Sequence, residues 1–328
     1  MASAPVPSPA QSLMVAAQVA QRAPSVFNTQ PWRWRVGADL LELHADRSRR
    51  LVVADPDGRL LTISCGAALH HARVALAAAG HRVAVERLPD PARPGLLARV
   101  RLAGFHEPDL ATLALREAID RRRTDRRAFG DRPVPPTVID RLRAAAEEEG
   151  GSLHIVREDQ MPMLACAVAS AAERELADPA YRSELIRWTN RPVRSGDGVP
   201  VATAVRAAPR RVPAREFALG VAPAMDAGSG TDRGAVFAIL FGDSDEPIGW
   251  LRGGEALSAV LLTATAAGLS AGPSSDVMEV GSTRELLRGL IARVGYPYLV
   301  LRFGTKAAAA DVPAAPRRDP ADVIDETD

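Results

Sequence analysis

Apolar positions along this chain change period several times, and each change marks an element. Residues 10–22 carry apolar side chains at helical spacing as far as the Ala23-Pro24-Ser25 turn. Trp32, Trp34 and Val36 then alternate with Arg33 and Arg35, the period of a strand with one buried face. "LLELHAD" continues as a second strand after Gly37, and "DPDGR" reads as a turn. An apolar helix is expected from about Leu61 to Ala79, closed by Gly80. "RVAVERL" and "LLARVRL" read as strands. Helices follow over about 108–122 and through "PPTVIDRLRAAAEEEG", the latter opened by proline and closed by Gly150. "SLHIVR" is a strand and 158–190 reads as helical. "AVFAILFG" and "PYLVLRFG" read as strands on either side of a helix expected from about Gly254 to Ala267. Residues 191–231 are rich in Pro, Gly and Arg and read as a lid-like excursion, and residues 305–328 as an extended C-terminal arm.

Two of these helices echo each other. Gly66-Ala67-Ala68-Leu69 leads to Gly80, and Gly254-Glu255-Ala256-Leu257 leads to Gly268, fourteen positions on in both cases. Read as the openings of two equivalent helices, they divide the chain into two α+β halves, 1–107 and 108–328, related by an internal pseudo-twofold axis.

Composition narrows the class. The chain has 328 residues, 47% of them apolar and 25% charged, a normal balance for a packed globular protein. The formal net charge of +1 gives no global attraction to nucleic acid or to an anionic membrane. Cys65 and Cys166 are far apart and form no CxxC pair, so neither a disulfide framework nor a zinc site is indicated. His70-His71 lacks the i,i+4 partner of a helical metal pair, and no metal is expected. No signal peptide or long apolar run is read, so the expected location is the cytoplasm. Cationic charge is almost all arginine, Lys306 being the single lysine, and arginine forks suit phosphate and carboxylate.

Three stretches could carry chemistry. "RAPSVFNTQPWRW" (22–34) sets Asn28, Thr29 and Gln30 beside prolines that fix the backbone; it is either a turn into a core strand or a grip on a polar ring edge. "RRRTDRRAF" (121–129) puts five arginines and a threonine where a helix ends, which makes either a phosphate cradle or a solvated charged turn. "PRRDP" (316–320) is either a disordered tail or an arm that folds back on a phosphate. There is no Ser-His-Asp arrangement, no GxGxxG after a strand and no Walker loop.

Taken in order with "DPDGRLLTISCGAAL", "DGVP", "WLRGGEALSAVLLTATAAGL" and "GYPYLVLRFG", these stretches resemble the nitroreductase family of flavoproteins, and more closely its Acg-like actinobacterial branch, over about residues 10–325. The resemblance implies an α+β flavin fold that binds FMN, which two identical subunits build in ordinary members. Here Pro24, Ser25 and Asn28 lie in the first half, and Arg122, Thr124, Arg126, Arg317 and Arg318 in the second. One chain would imitate the dimer, hold one FMN and remain a monomer.

By that resemblance Arg122, Thr124, Arg317 and Arg318 would hold the FMN phosphate. Arg126 would sit at the N1–C2 edge, where a cation stabilises the charge that reduction places on the ring. Pro24, Ser25, Asn28 and Gln30 would approach the ring and ribityl chain, and Ser274 and Ser275 the N5 side. Phe27 stands where related sequences often carry His, and Ser-Ser-Asp where many have Glu-Gly. The implied activity is an FMN-dependent NAD(P)H oxidoreductase, with NADPH or NADH delivering hydride through flavin N5 to an electron-poor acceptor such as a nitroaromatic or quinone. The alternative is a non-catalytic protein that stores FMN under a lid, and a third is a relative that holds no flavin.

Overall fold

The computed structural model describes residues 8–206, 208–217, 223–307 and 311–327. Helix α1 (Pro9–Ala20) starts on a Ser8–Gln11 capping box, with Pro9 at its first position. Strands β1 (Trp32–Val36) and β2 (Leu40–Ala45) pair antiparallel, and the inward Trp32 and Trp34 are fully buried. Helix α2 (Arg59–Ala78) follows, then β3 (His81–Arg87) and β4 (Leu96–Phe105), which complete an antiparallel sheet in the order β3-β4-β2-β1.

Helices α3 (Leu110–Arg121) and α4 (Pro136–Glu148) lead into β5 (Ser152–Ile155). The helical stretch expected at 158–190 is two helices, α5 (Met161–Ala177) and α6 (Pro179–Thr189). Pro179 ends one and starts the other, and Asp178 caps the second by accepting from Ala180 N at 2.8 Å. Strand β6 (Val236–Gly242), helix α7 (Pro247–Ala266), β7 (Ser270–Ser274), α8 (Asp276–Glu279), α9 (Gly281–Leu290) and β8 (Tyr296–Gly304) follow. They build a second antiparallel sheet, β5-β6-β8-β7. The C-terminal arm crosses back, and β9 (Ile324–Glu326) adds parallel to β1 as the fifth strand of the first sheet. The protein is thus α+β with two sheets.

Residues 191–231 hold only short 3-10 turns and a Val205–Met225 bridge among the described residues. Residues 207 and 218–222 of that excursion, 308–310 and 328 of the arm, and 1–7 of the first half lie outside the described residues.

The expected helix starts are corrected. α7 begins at Pro247 rather than Gly254, and Gly66 also lies inside its helix. Both helices have 20 residues, with the glycine eighth in each. The glycines sit inside because the helices cross there. A Cβ on Gly66 would fall 2.9 Å from Gly254 Cα and closer still to Leu251 O; a Cβ on Gly254 would fall 2.8 Å from Gly66 Cα and closer still to Ile63 O. Each glycine thus meets the carbonyl three residues before the other. The cores interlock through this crossing: Leu60 and Ile63 of α2 belong to the second sheet's core, and Leu251 and Leu262 of α7 to the first's.

Gly→Ala inside an exposed helix stabilises by about 0.5–1 kcal/mol. At this crossing the sign reverses, because overpacking typically costs about 1–3 kcal/mol. Gly66→Ala and Gly254→Ala are each expected to lower the urea midpoint, measured by circular dichroism.

Candidate functional site

The segment after α1 enters the left-handed region three times without glycine, at Phe27 (φ 47°), Asn28 (φ 54°) and Gln30 (φ 49°). Such positions persist where neighbours over-determine them, and hydrogen bonds do so here. Ser25 Oγ accepts from Gln30 N at 2.9 Å, and Ser64 Oγ of α2 accepts from Val26 N at 3.1 Å. Asn28 Nδ2 donates to Gly198 O at 3.0 Å and Pro316 O at 3.1 Å, while Asn28 Oδ1 accepts from Arg317 Nη1 at 3.2 Å. Buried Gln30 donates to Gly196 O at 2.8 Å and accepts from Arg318 N at 3.0 Å. These two amides are therefore spent on the chain itself. They pin the start of the 191–231 excursion and the C-terminal arm onto the turn. Gly196 (φ 65°) lets the two approach, since a Cβ there would strike Arg317 C at 2.7 Å.

Turn, arm and the end of α3 enclose a cavity of about 500 Å³. Pro24, Ser25 and Asn28 line it from the turn, and Arg122, Thr124 and Arg126 from the segment after α3. Ser275 lines it beside α8, and Arg317 and Arg318 from the arm. Gln30 does not reach it. Ser274 faces a separate cavity of about 80 Å³ that shares Arg126, Phe217, Pro273 and Ser275 with the first. The expected N5 loop is in fact the end of β7 and α8; Ser274 closes the strand and lines only the smaller cavity, while Ser275, the residue before α8, lines both.

Sequence reading missed the apolar wall, formed by Leu60 and Ile63 of α2, Leu257 of α7 and Leu299 of β8. In the sequence these are ordinary core positions of apolar runs. It also missed which excursion residues close the site: Val199, Pro200, Thr203 and Phe217. Arg126 lies 4.5 Å from the Phe217 ring centroid and 3.4 Å from Thr203 Oγ1.

The arginines are under-compensated. Arg122 Nη2 reaches Arg22 O at 3.3 Å, and Arg317 reaches Arg22 O and Pro316 O, both at 2.9 Å. Among the described residues none of Arg122, Arg123, Arg126 and Arg317 forms an ion pair with a carboxylate. Asp120, on the same wall, is held by Arg22 and Arg116. The buried Nε atoms of Arg122 and Arg317 have no partner among the described residues. Burial, with Arg123 adding, pushes Arg122 down to about 10. Burial, then Arg122, Arg123 and Arg22, push Arg317 down to about 9. Burial and Arg215 push Arg126 down to about 10, against a small opposing pull from Asp125. Cations held in this way cost stability that an anion among them restores. Two orphaned guanidinium N–H groups, a threonine and an apolar wall fit a phosphate ester carrying a flat ring. Arg318 is differently placed, bonded to Asp322 O at 3.0 Å and 3.7 Å from Asp46 Oδ2.

The base of the excursion is bonded to its surroundings at Asp197. Burial alone would raise this carboxyl, but hydrogen bonds from Arg191, Ser195 and Arg49 prevail and hold it at about 2.

A protein of Mycobacterium tuberculosis (strain ATCC 25618 / H37Rv) named "Putative NAD(P)H nitroreductase Rv3131" is 39% identical over 320 residues, 96% of this chain and 92% of its own. The chain belongs to the nitroreductase family. A second relative from the same strain, "Putative NAD(P)H nitroreductase acg", is 35% identical over 314 residues, 94% of this chain and 93% of its own, and places this nitroreductase in the Acg-like branch. No family model matches the chain. Among solved structures, the FMN-dependent nitroreductase NfnB from Mycobacterium smegmatis in complex with NADPH is 20% identical, covering 65% of this chain and 97% of its own at a TM-score of 0.42. A nitroreductase with bound FMN from Bacteroides fragilis is 14% identical, covering 61% of this chain and 91% of its own at 0.34.

An anion that binds only the folded nitroreductase stabilises it. Inorganic phosphate is expected to raise Tm above that in chloride at equal ionic strength. Arg122→Gln is expected to remove more than half of that gain, as read by differential scanning calorimetry.

Proposed function

We propose that the protein is an FMN-dependent NAD(P)H oxidoreductase that passes hydride to an electron-poor acceptor such as a nitroaromatic or a quinone. The observation that carries this reading is the pairing, in one cavity, of an apolar wall with Arg122, Arg126 and Arg317, which have no carboxylate partner among the described residues. Arg122, Thr124 and Arg317 are assigned to the FMN phosphate, with Arg318 in support. Arg126 is assigned to the ring edge where negative charge develops, and Ser275 to the N5 side. Ser25 shapes the turn, and Asn28 and Gln30 act at one remove by holding the excursion and the arm closed around the site. When bound, FMN supplies the hydride chemistry, with NADPH or NADH as reductant.

The chain is further read as an intrachain pseudo-dimer of halves 1–107 and 108–328 with one FMN. The reciprocal Gly66–Gly254 crossing, at the same offset in two helices of equal length, supports this. A chain that supplies both halves of its own site has no need of a second copy, so a monomer is favoured over a homodimer. A cytoplasmic protein without nucleic-acid or membrane partners fits the near-zero net charge. It also fits the burial of α2, the one helix among the described residues long and apolar enough to cross a membrane.

A second reading is that FMN is stored rather than used. The observation that favours it is the cover formed by Val199, Pro200, Thr203 and Phe217, with Phe217 seated on Arg126.

A visible spectrum of the purified protein, followed by anaerobic NADPH or NADH, separates the readings. A flavin spectrum that bleaches with nucleotide is expected. One that resists nucleotide but bleaches with dithionite would transfer the conclusion to storage, and a protein that stays colourless after FMN incubation would sink both.

Asn28→Ala is expected to weaken FMN retention roughly tenfold or more, since each lost hydrogen bond is worth about 0.5–1.5 kcal/mol. Equilibrium dialysis against FMN measures this, and unchanged affinity would refute the clamp.

A further inference from the structure

Beside the cavity, under the excursion, lies a buried group of charges that the proposed function does not use. Arg215 Nη2 donates to Glu175 Oε1 of α5 at 3.1 Å and to Glu279 Oε1 of α8 at 2.8 Å. Both carboxyl groups thus meet the same Arg215 nitrogen, and both side chains are buried. Tyr181 of α6 donates to Glu279 Oε2 at 3.2 Å. Asp276 is buried close by, and its Oδ2 has no partner among the described residues. Two buried carboxyl groups therefore share one guanidinium with a third buried beside them, and like charges crowded in this way are relieved when one carboxyl takes up a proton.

Ser275 connects this group to the cavity. Its Oγ donates to Glu279 Oε1 at 2.8 Å, and Ser275 is itself part of the cavity wall. The contacts run in series from Glu175 to Glu279, to the Ser275 hydroxyl, and into the site.

We propose that the Glu175–Glu279 pair holds one proton at neutral pH and hands it, through Ser275 Oγ, to the oxyanion formed on the acceptor. This rests on the oxidoreductase reading and supplies the proton that the reading requires. Reduction of a nitro group to a nitroso group takes one hydride and one proton and releases one water: R–NO2 + H⁻ + H⁺ gives R–NO + H2O. Bound FMN, reduced by NAD(P)H, would supply the hydride. The Ser275 hydroxyl turns from Glu279 to the acceptor; as its proton leaves, Oγ takes the one held by the pair, the acceptor N–O bond breaks with release of water, and a proton from bulk solvent returns to the pair. Ser275 is the catalytic residue; Glu175 and Glu279 act through it.

The surrounding charges agree. Burial pushes the Glu175 carboxyl up to about 8; Arg215 opposes this, and Glu279 and Asp276 add to it. The other groups facing the pair are Tyr181, whose hydroxyl burial pushes up, and Asp55, raised by its own burial and, more weakly, by Glu279. A carboxyl whose folded value is raised favours the fold at low pH, and that contribution is lost as pH rises through about 8. The proton is therefore available at neutrality and absent in mild alkali.

Infrared spectroscopy of the FMN-loaded full chain reads the proton directly. A protonated-carboxyl band is expected that titrates away near pH 8 and is missing from Glu175→Gln. Transfer is read by reducing the protein with dithionite and mixing it anaerobically with 4-nitrobenzoate in H2O and D2O. Wild type is expected to slow as pH rises through the same midpoint and to show a solvent isotope effect. Ser275→Ala should slow roughly a hundredfold, in the range of general acid catalysis, and lose the pH step, while Ser275→Thr restores both. The absence of a titrating band, a band that survives in both Glu175→Gln and Glu279→Gln, or an unchanged pH profile in Ser275→Ala would each overturn the proposal. Dithionite replaces nicotinamide here, so failure of NAD(P)H to reduce the protein would sink the proposed function and leave this test standing.

Discussion

The crossing of α2 and α7 is the constraint on which the other features rest. Two long helices can approach backbone to backbone only where side chains vanish, and Gly66 and Gly254 vanish opposite each other. At that separation each helix inserts side chains into the other's core, so neither sheet completes its interior alone. The crossing also sets the cavity wall, because Leu60, Ile63 and Ser64 project from one helix and Leu257 from the other. The turn after α1, fastened to Ser64, is thereby carried to the arginines that follow α3.

Around that frame the chain spends its polar groups unevenly. Asn28 and Gln30 are saturated by carbonyls from distant segments, whereas Arg122 and Arg317 keep orphaned N–H groups. Saturated amides hold shape, and orphaned cations hold affinity. The same contrast separates Asp197, where bonds from Arg191, Ser195 and Arg49 overcome burial, from Glu175, where crowding by other carboxyl groups leaves burial dominant.

Much of this was legible in the sequence, because periodicity and turn chemistry are local. The Trp32–Val36 strand, the closure of α2 at Gly80 and the arginines after α3 were all read from neighbouring residues. What escaped depended on residues meeting across the chain. Gly66 and Gly254 looked like helix openings because an interior glycine is costly by itself, and only the crossing explains it. Asn28 lines the cavity, but its hydrogen bonds to Gly198, Pro316 and Arg317, 170 to 289 positions away, could not be read from neighbouring residues. Arg215, Glu175 and Glu279 carry no shared motif, being 40 and 64 positions apart. Val199 and Phe217 sit in a segment whose composition gives no period to read.

The C-terminal arm joins two distant parts of the fold. Arg317 and strand β9 come after nearly every other described residue, yet they close the first cavity wall and add to a strand near the start of the chain. Without the arm the cavity would keep its apolar wall but lose a cation, and β1 would stand as an open edge. One segment therefore couples closure of the cavity to completion of the first sheet's edge, because it supplies both Arg317 and β9.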